Sequence, residues 1–166
     1  MQSLSKLTAR QVMTSPVAYA MSETPLHEVA GLLLRERISA APVLDDGGHV
    51  VGMVSEGDLV RRGPAGDETR RSWWLDVFEE NAAQDEQFVN YLTRHGLRAK
   101  DVMSRELVLV NEETPIAEIA ALLETHRIKR APVMRGEKLV GIVSRADLLR
   151  VLAHARPVPD RERGSG

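Results

Sequence analysis

The 166-residue chain has no cysteine, which removes disulfides, thiolate catalysis and cysteine-held zinc and fits a reducing compartment. It also lacks a charge excess, with 22 Lys and Arg against 24 Asp and Glu. A protein that grips nucleic acid through phosphates usually carries a clear basic surplus. No apolar run approaches the roughly 20 residues that span a bilayer, and Met1-Gln2-Ser3-Leu4-Ser5-Lys6 lacks the apolar stretch of a secretory signal. Cytoplasmic placement with no nucleic acid and no membrane is therefore expected. Catalytic signatures are missing too. His27, His49, His95, His126 and His154 have no metal-ligand spacing, and there is neither a lysine-bearing glycine-rich phosphate loop nor a Gly-x-Ser-x-Gly elbow. The expectation is a protein that is not an enzyme, with no metal and no required cofactor. At 43% hydrophobic the chain can still bury one ordinary core.

What the chain does contain is the same text twice. Val12-Met13 returns as Val102-Met103, Thr24-Pro25 as Thr114-Pro115, Arg37-Ile38 as Arg127-Ile128 and Ala41-Pro42-Val43 as Ala131-Pro132-Val133, always 90 residues on. The offset falls to 89 where Asp45-Asp46-Gly47-Gly48-His49 is answered by the shorter Arg135-Gly136-Glu137-Lys138. A deletion in a turn with register kept on both sides is how duplicated folding units diverge. Between 24–44 and 114–134, 11 of 21 positions are identical. The chain is a tandem pair, and its function must be one that a pair can perform.

Each unit reads as β-α-β-β-α, an α/β (α+β) pattern. Val17-Ala18-Tyr19-Ala20-Met21 and Leu107-Val108-Leu109-Val110 are short extended runs. Thr24 and Thr114 are placed to cap the helices that follow, with Pro25 and Pro115 in the first helical position, where a missing N–H costs nothing. Leu26, Val29, Ala30 and Leu33 then share one helical face, as do Ile116, Ile119, Ala120 and Leu123. Two strands joined by a turn follow, Ala41–Leu44 with Val50–Val54 and Ala131–Met134 with Leu139–Val143. Last helices open at Ser55, over Glu56 to about Arg61, and at Ser144, over Arg145 to about Ala153.

The ordered landmarks Val-Met, short strand, Thr-Pro helix, Ala-Pro-Val strand, Gly-x-Val/Ile-Val-Ser strand and Ser-x-x-Asp-Leu resemble the cystathionine β-synthase (CBS) domain. Two in tandem resemble a Bateman module, here standing alone, with unit 1 at 9–61 and unit 2 at 99–153. The resemblance implies two units about a pseudo-twofold axis, usually paired into a homodimer, with adenosyl ligands in clefts between the units. It also implies that adenine enters an apolar slot where backbone groups read its edge. In this sequence that slot falls on Val17, Ala18, Ala41 and Pro42 in one half and on Leu107, Val108, Ala131 and Pro132 in the other.

Within such a cleft Ser55 and Ser144 stand at strand-to-helix junctions, where unsatisfied N–H groups and the helix dipole favour a phosphate. Asp58 and Asp147, three residues on, carry acceptor-only carboxylates suited to the two hydroxyls of a ribose. The same Ser-x-x-Asp spacing makes a capping box, which stabilises a helix without any ligand. The halves differ in charge: Lys129, Arg130 and Arg145 stand where the first half has Ser39, Ala40 and Glu56. The resemblance places phosphate-contacting basic residues at Lys129 and Arg130, and Arg145 follows its serine where Glu56 follows the other. A cation helps a phosphate and a carboxylate repels it, so unequal phosphate affinity is expected. Lys129 and Arg130 also read as solvated charges protecting a strand edge.

Residues 62–98 fit the family pattern least. After Gly63-Pro64-Ala65-Gly66, Trp73, Trp74, Val77 and Phe78 and then Phe88, Tyr91 and Leu92 fall at helical spacing, a helical hairpin whose aromatic ridge serves as a clasp or meets a regulated partner through Trp73 and Trp74. The tail, 154–166, is polar and reads as disordered. The function these readings support is a regulatory module that senses an adenine nucleotide (AMP, ADP or ATP) and transmits it by conformational change. The alternatives are a constitutive dimerisation scaffold with vestigial clefts, or a site for S-adenosylmethionine or NAD.

Overall fold

The structure, a computed structural model, describes residues 4–61 and 96–155. The aromatic hairpin expected within 62–98, including Trp73 and Trp74, and all but the start of the tail lie outside those residues.

A 3-10 turn, Leu4–Lys6, leads into α1 (Ala9–Val12), β1 (Ala20–Met21), α2 (Leu26–Arg35), β2 (Ala40–Leu44), β3 (Val50–Ser55) and α3 (Glu56–Arg61). The second repeat follows as α4 (Ala99–Val102), β4 (Val110–Asn111), α5 (Ile116–Thr125), β5 (Arg130–Arg135), β6 (Lys138–Ser144) and α6 (Arg145–His154). Each repeat thus contributes a three-stranded sheet, ordered β1-β2-β3 and β4-β5-β6. In the first, β1 runs parallel to β2 and β2 antiparallel to β3.

The first strands are shorter than expected: Val17–Tyr19 and Leu107–Leu109 stay outside the ladders, which hold only Ala20–Met21 and Val110–Asn111. Proline accounts for it. Met53 exchanges both of its backbone hydrogen bonds with Ser104, at 3.0 and 2.8 Å, so it directs neither group at its partner Pro42. The nitrogen of Pro42 therefore faces β1 and carries no hydrogen to extend that ladder. Pro132 stands at the matching place in β5.

The threonines do not cap the helices. Pro25 and Pro115 are the N-caps, in extended conformation with ψ 148° and 143°, and the Pro25 carbonyl accepts from Val29 N–H. Thr24 and Thr114 instead close the preceding turns, their hydroxyl oxygens accepting from Met21 N–H and Asn111 N–H at 3.0 and 3.1 Å. Leu26, Val29 and Leu33 bury as expected, and Ile119 and Leu123 likewise, but Ala120 is exposed. It lies one residue round from the apolar face.

The helices α2 and α5 stop in the same way. Ile38 N–H reaches the Leu33 carbonyl and Arg37 N–H the Leu34 carbonyl, with the pair repeated by Ile128 to Leu123 and Arg127 to Glu124. This is the Schellman pattern, built with arginine at φ 53° and 51°, where glycine is the usual occupant.

The chain divides into two compact units, and their boundaries do not follow the repeats. One holds 16–107 and 136–139; the other holds 1–15, 108–135 and 140–166. The leading segment of each repeat is built into the body of the other. Ala9 N–H and Arg10 N–H donate to the carbonyls of Thr114 and Glu112, and Ala99 N–H and Lys100 N–H to those of Thr24 and Ser22, all within 2.8 to 3.0 Å. Thr14 pairs with Ile142 as Ser104 pairs with Met53. Ala99, Val102 and Met103 accordingly join the core of Val29, Val43 and Val54, while Ala9 joins that of Ile119, Val133 and Val143.

Candidate functional site

The Ser-x-x-Asp junctions are the best-defined polar constructions in the two sheets. At the end of β6, Ser144 N–H and Ser144 hydroxyl both donate to Asp147 Oδ2, at 2.7 and 2.8 Å, and Asp147 N–H returns a bond to Ser144 Oγ at 3.3 Å. At the end of β3, Ser55 and Asp58 repeat the arrangement at 2.9, 3.0 and 3.3 Å. The extended strand delivers serine at the N-cap, and the first helical turn places the aspartate above it. Each junction also takes a backbone bond from its own repeat, Arg145 N–H to Lys129 carbonyl and Glu56 N–H to Ser39 carbonyl. Several helix-start donors are therefore already engaged.

The two carboxylates are not equally open. Asp147 is buried at 5% exposure, and its second oxygen, Oδ1, is held by Arg150. Asp58 is half-buried, and no cation meets it among the described side chains. Arg150 was invisible as a site residue in the sequence, although its spacing three residues after Asp147 is the signal that could have found it.

The slot residues separate into two groups. Val17, Ala18, Leu107 and Val108 are half-buried and outside the ladders, whereas Ala41, Pro42, Ala131 and Pro132 are fully buried in the central strands. The strand pairs bring Ala41 to Val54 and Ala40 to Ser55, so the Ala-Pro segment runs directly beside the Ser junction. Of the basic trio, Lys129 is exposed, Arg130 opens β5 half-buried, and Arg145 forms an exposed ion pair with Glu124 at 3.7 Å. Glu56 is exposed at the matching position of the first repeat.

A second polar centre escaped the sequence reading. Glu112, 5% exposed, accepts from Arg135 Nε and Nη2 at 2.6 and 2.8 Å and from Arg10 Nε at 3.2 Å. These hydrogen bonds, Arg135 first and Arg10 second, outweigh burial and lower its pKa to about 2. In the other unit Lys100 and Arg98 meet Glu23. Both clusters tie a leading segment to its host, and neither touches the serine junctions. Among the described residues no group of His, Asp or Glu is arranged to hold a metal ion, and no helix is long and apolar enough to cross a membrane.

Comparison with known proteins agrees with this architecture. Residues 9–64 and 99–154 each match the CBS domain. The chain resembles the CBS domain of a CBS domain-containing membrane protein from Sphaerobacter thermophilus, at 33% identity and TM-score 0.70, over 89% of this chain and 88% of that one. It shares its fold with the CBS domain pair of protein MJ0100, solved with 5′-methylthioadenosine and S-adenosyl-L-methionine, at 19% identity and TM-score 0.64, covering 89% and 96% of the two chains. It also shares it with CBSX2 in complex with AMP, at 24% identity and TM-score 0.63, covering 88% and 96%.

Proposed function

Because the chain belongs to the CBS-domain family, as a tandem pair, we propose that it is a cytoplasmic regulatory module that binds an adenine nucleotide at its serine junctions and reports occupancy by a change in packing. The carrying observation is the junction itself, present twice with the same three hydrogen bonds. In each, an aspartate stands one turn into a helix whose serine junction adjoins the Ala-Pro strand. Asp58 and Asp147 would accept from ribose hydroxyls, Ser144 would meet phosphate at the start of α6, and Val17, Ala18, Leu107 and Val108 would flank adenine. Structures of family members with AMP, and with 5′-methylthioadenosine and S-adenosyl-L-methionine, support an adenosyl ligand.

Charge selects among ligands. Lys129 and Arg145 lie at the second junction and Glu56 at the first, so phosphate is favoured at the second. A ligand transmits a signal only by its difference in affinity for two arrangements of the protein. Homodimerisation, testable by light scattering with and without nucleotide, belongs to the same reading.

One observation favours the scaffold instead: each junction is a complete capping box, satisfied with no ligand. Thermal shift against AMP, ADP, ATP, NAD and S-adenosylmethionine separates the two, since a ligand at 100 times its Kd adds about 2.7 kcal/mol. The nucleotide reading expects AMP, ADP or ATP to raise the transition. No shift with any of the five sinks it and leaves the scaffold.

A further inference from the structure

Resting on the adenosyl reading, we propose that Arg150 guards the Asp147 carboxylate and makes the second junction select phosphorylated over unphosphorylated adenosyl ligands. Asp147 has two oxygens to offer. Oδ2 already accepts both donors of Ser144, and Oδ1 is held by the Arg150 guanidinium. A ribose brings two O–H donors and needs the acceptor capacity that Arg150 occupies. A guanidinium, being all donors, can give to a hydroxyl oxygen but cannot accept a hydroxyl proton. Two ribose hydroxyls that both donate to the carboxylate therefore require Arg150 to give way.

Displacement is easy in one direction. The Asp147 side chain is 5% exposed but that of Arg150 is 67% exposed, so the arginine can swing into solvent or onto an anion while the carboxylate stays in place. A nucleotide phosphate supplies such an anion, and Arg150 then exchanges one charged partner for another. Adenosine offers no replacement and has to break the ion pair uncompensated. The guard lowers apparent affinity for every ribose ligand by the fraction of molecules in which Asp147 is covered, and phosphate alone recovers the loss. Arg61 holds the corresponding place in the first repeat, with its side chain outside the described set.

The test titrates adenosine and AMP calorimetrically into the full chain carrying Asp58→Ala, which silences the first junction, with and without Arg150→Ala; Arg150→Gln is a second variant that keeps a polar side chain. The expected result is adenosine binding about two- to fivefold tighter, the range of an exposed ion pair. AMP gains less or weakens, so the preference for AMP over adenosine narrows in both variants. An unchanged or wider preference overturns the guard, as does weaker adenosine binding. If neither ligand binds any of the proteins, with the single Asp58→Ala and wild-type chains included, the adenosyl reading itself fails and takes the guard with it. That result cannot be confused with binding at an unchanged ratio.

Discussion

Met13 lies over Gly141 so closely that a β-carbon at position 141 would come 2.8 Å from the Met13 Cγ. Gly52 receives Met103 in the same way, with Sδ at 2.5 Å, Cγ at 2.8 Å and, in addition, the Ser104 carbonyl oxygen at 2.9 Å. A methionine can turn aside, whereas a carbonyl bonded into a bridge with Met53 cannot move without losing that bond.

Gly52→Ala is therefore expected to destabilise more than Gly141→Ala. Both fall in the overpacking range of about 1–3 kcal/mol, with Gly52→Ala toward its upper end. Urea unfolding monitored by circular dichroism reads the difference as a shift in midpoint at constant slope, and equal midpoints would contradict the role given to the Ser104 carbonyl.

Acid should loosen the clasp on Glu112. Its ordinary pKa of 4.5 is lowered to about 2 in the fold, so between those values the unfolded chain takes up a proton that the folded chain refuses. Stability from this group is complete above about pH 4.5, declines as pH falls, and is exhausted near pH 2. Glu112→Gln should flatten that part of the profile of Tm against pH. A variant whose slope from pH 5 to 3 matches wild type would assign the acid sensitivity to other carboxylates.

Arginine in the left-handed region at 37 and 127 is a strain that glycine would not feel. With φ at 53° and 51° and the Schellman hydrogen bonds already in place, Arg127→Gly and Arg37→Gly should each stabilise by up to about 1 kcal/mol, the relief exceeding glycine's entropic disadvantage. The measurement is Tm by calorimetry, and a fall in both variants would show that the arginine side chains contribute more than their backbone costs.

Removing Asp147 should be felt without any ligand. Asp147→Ala deprives Ser144 N–H and hydroxyl of their acceptor, a cap loss of about 1 kcal/mol, and Asp58→Ala should behave similarly. Denaturant unfolding of the unliganded variants checks this; nucleotide affinities of the same variants should then be compared by titration rather than by Tm.

The repeat made the architecture legible because it states each element twice. Periodicity located both amphipathic helices, and the Asp/Gly turn located the β2–β3 hairpin, where Asp45 Oδ1 accepts from Gly47 and His49 N–H at 2.9 and 2.8 Å. Ser55 with Asp58 and Ser144 with Asp147 came from local spacing and stand together as hydrogen-bonded pairs. What local pattern could not supply was anything depending on distant chain. The shortness of β1 follows from a proline in another strand, and the roles of Thr24 and Thr114 follow from turns whose carbonyls are engaged by α4 and α1. Glu112 between Arg10 and Arg135 joins residues 102 positions apart, and nothing in its own neighbourhood announces it.

The exchange of leading segments means that a cut within 62–95 would not release two self-sufficient domains. Each fragment would carry the other's first helix, leaving Gly141 without Met13 and Gly52 without Met103. A lone ancestral repeat could have completed its fold only by trading leads with a second copy of itself. The tandem arrangement holds that trade within one chain and leaves the two bodies free to differ in charge.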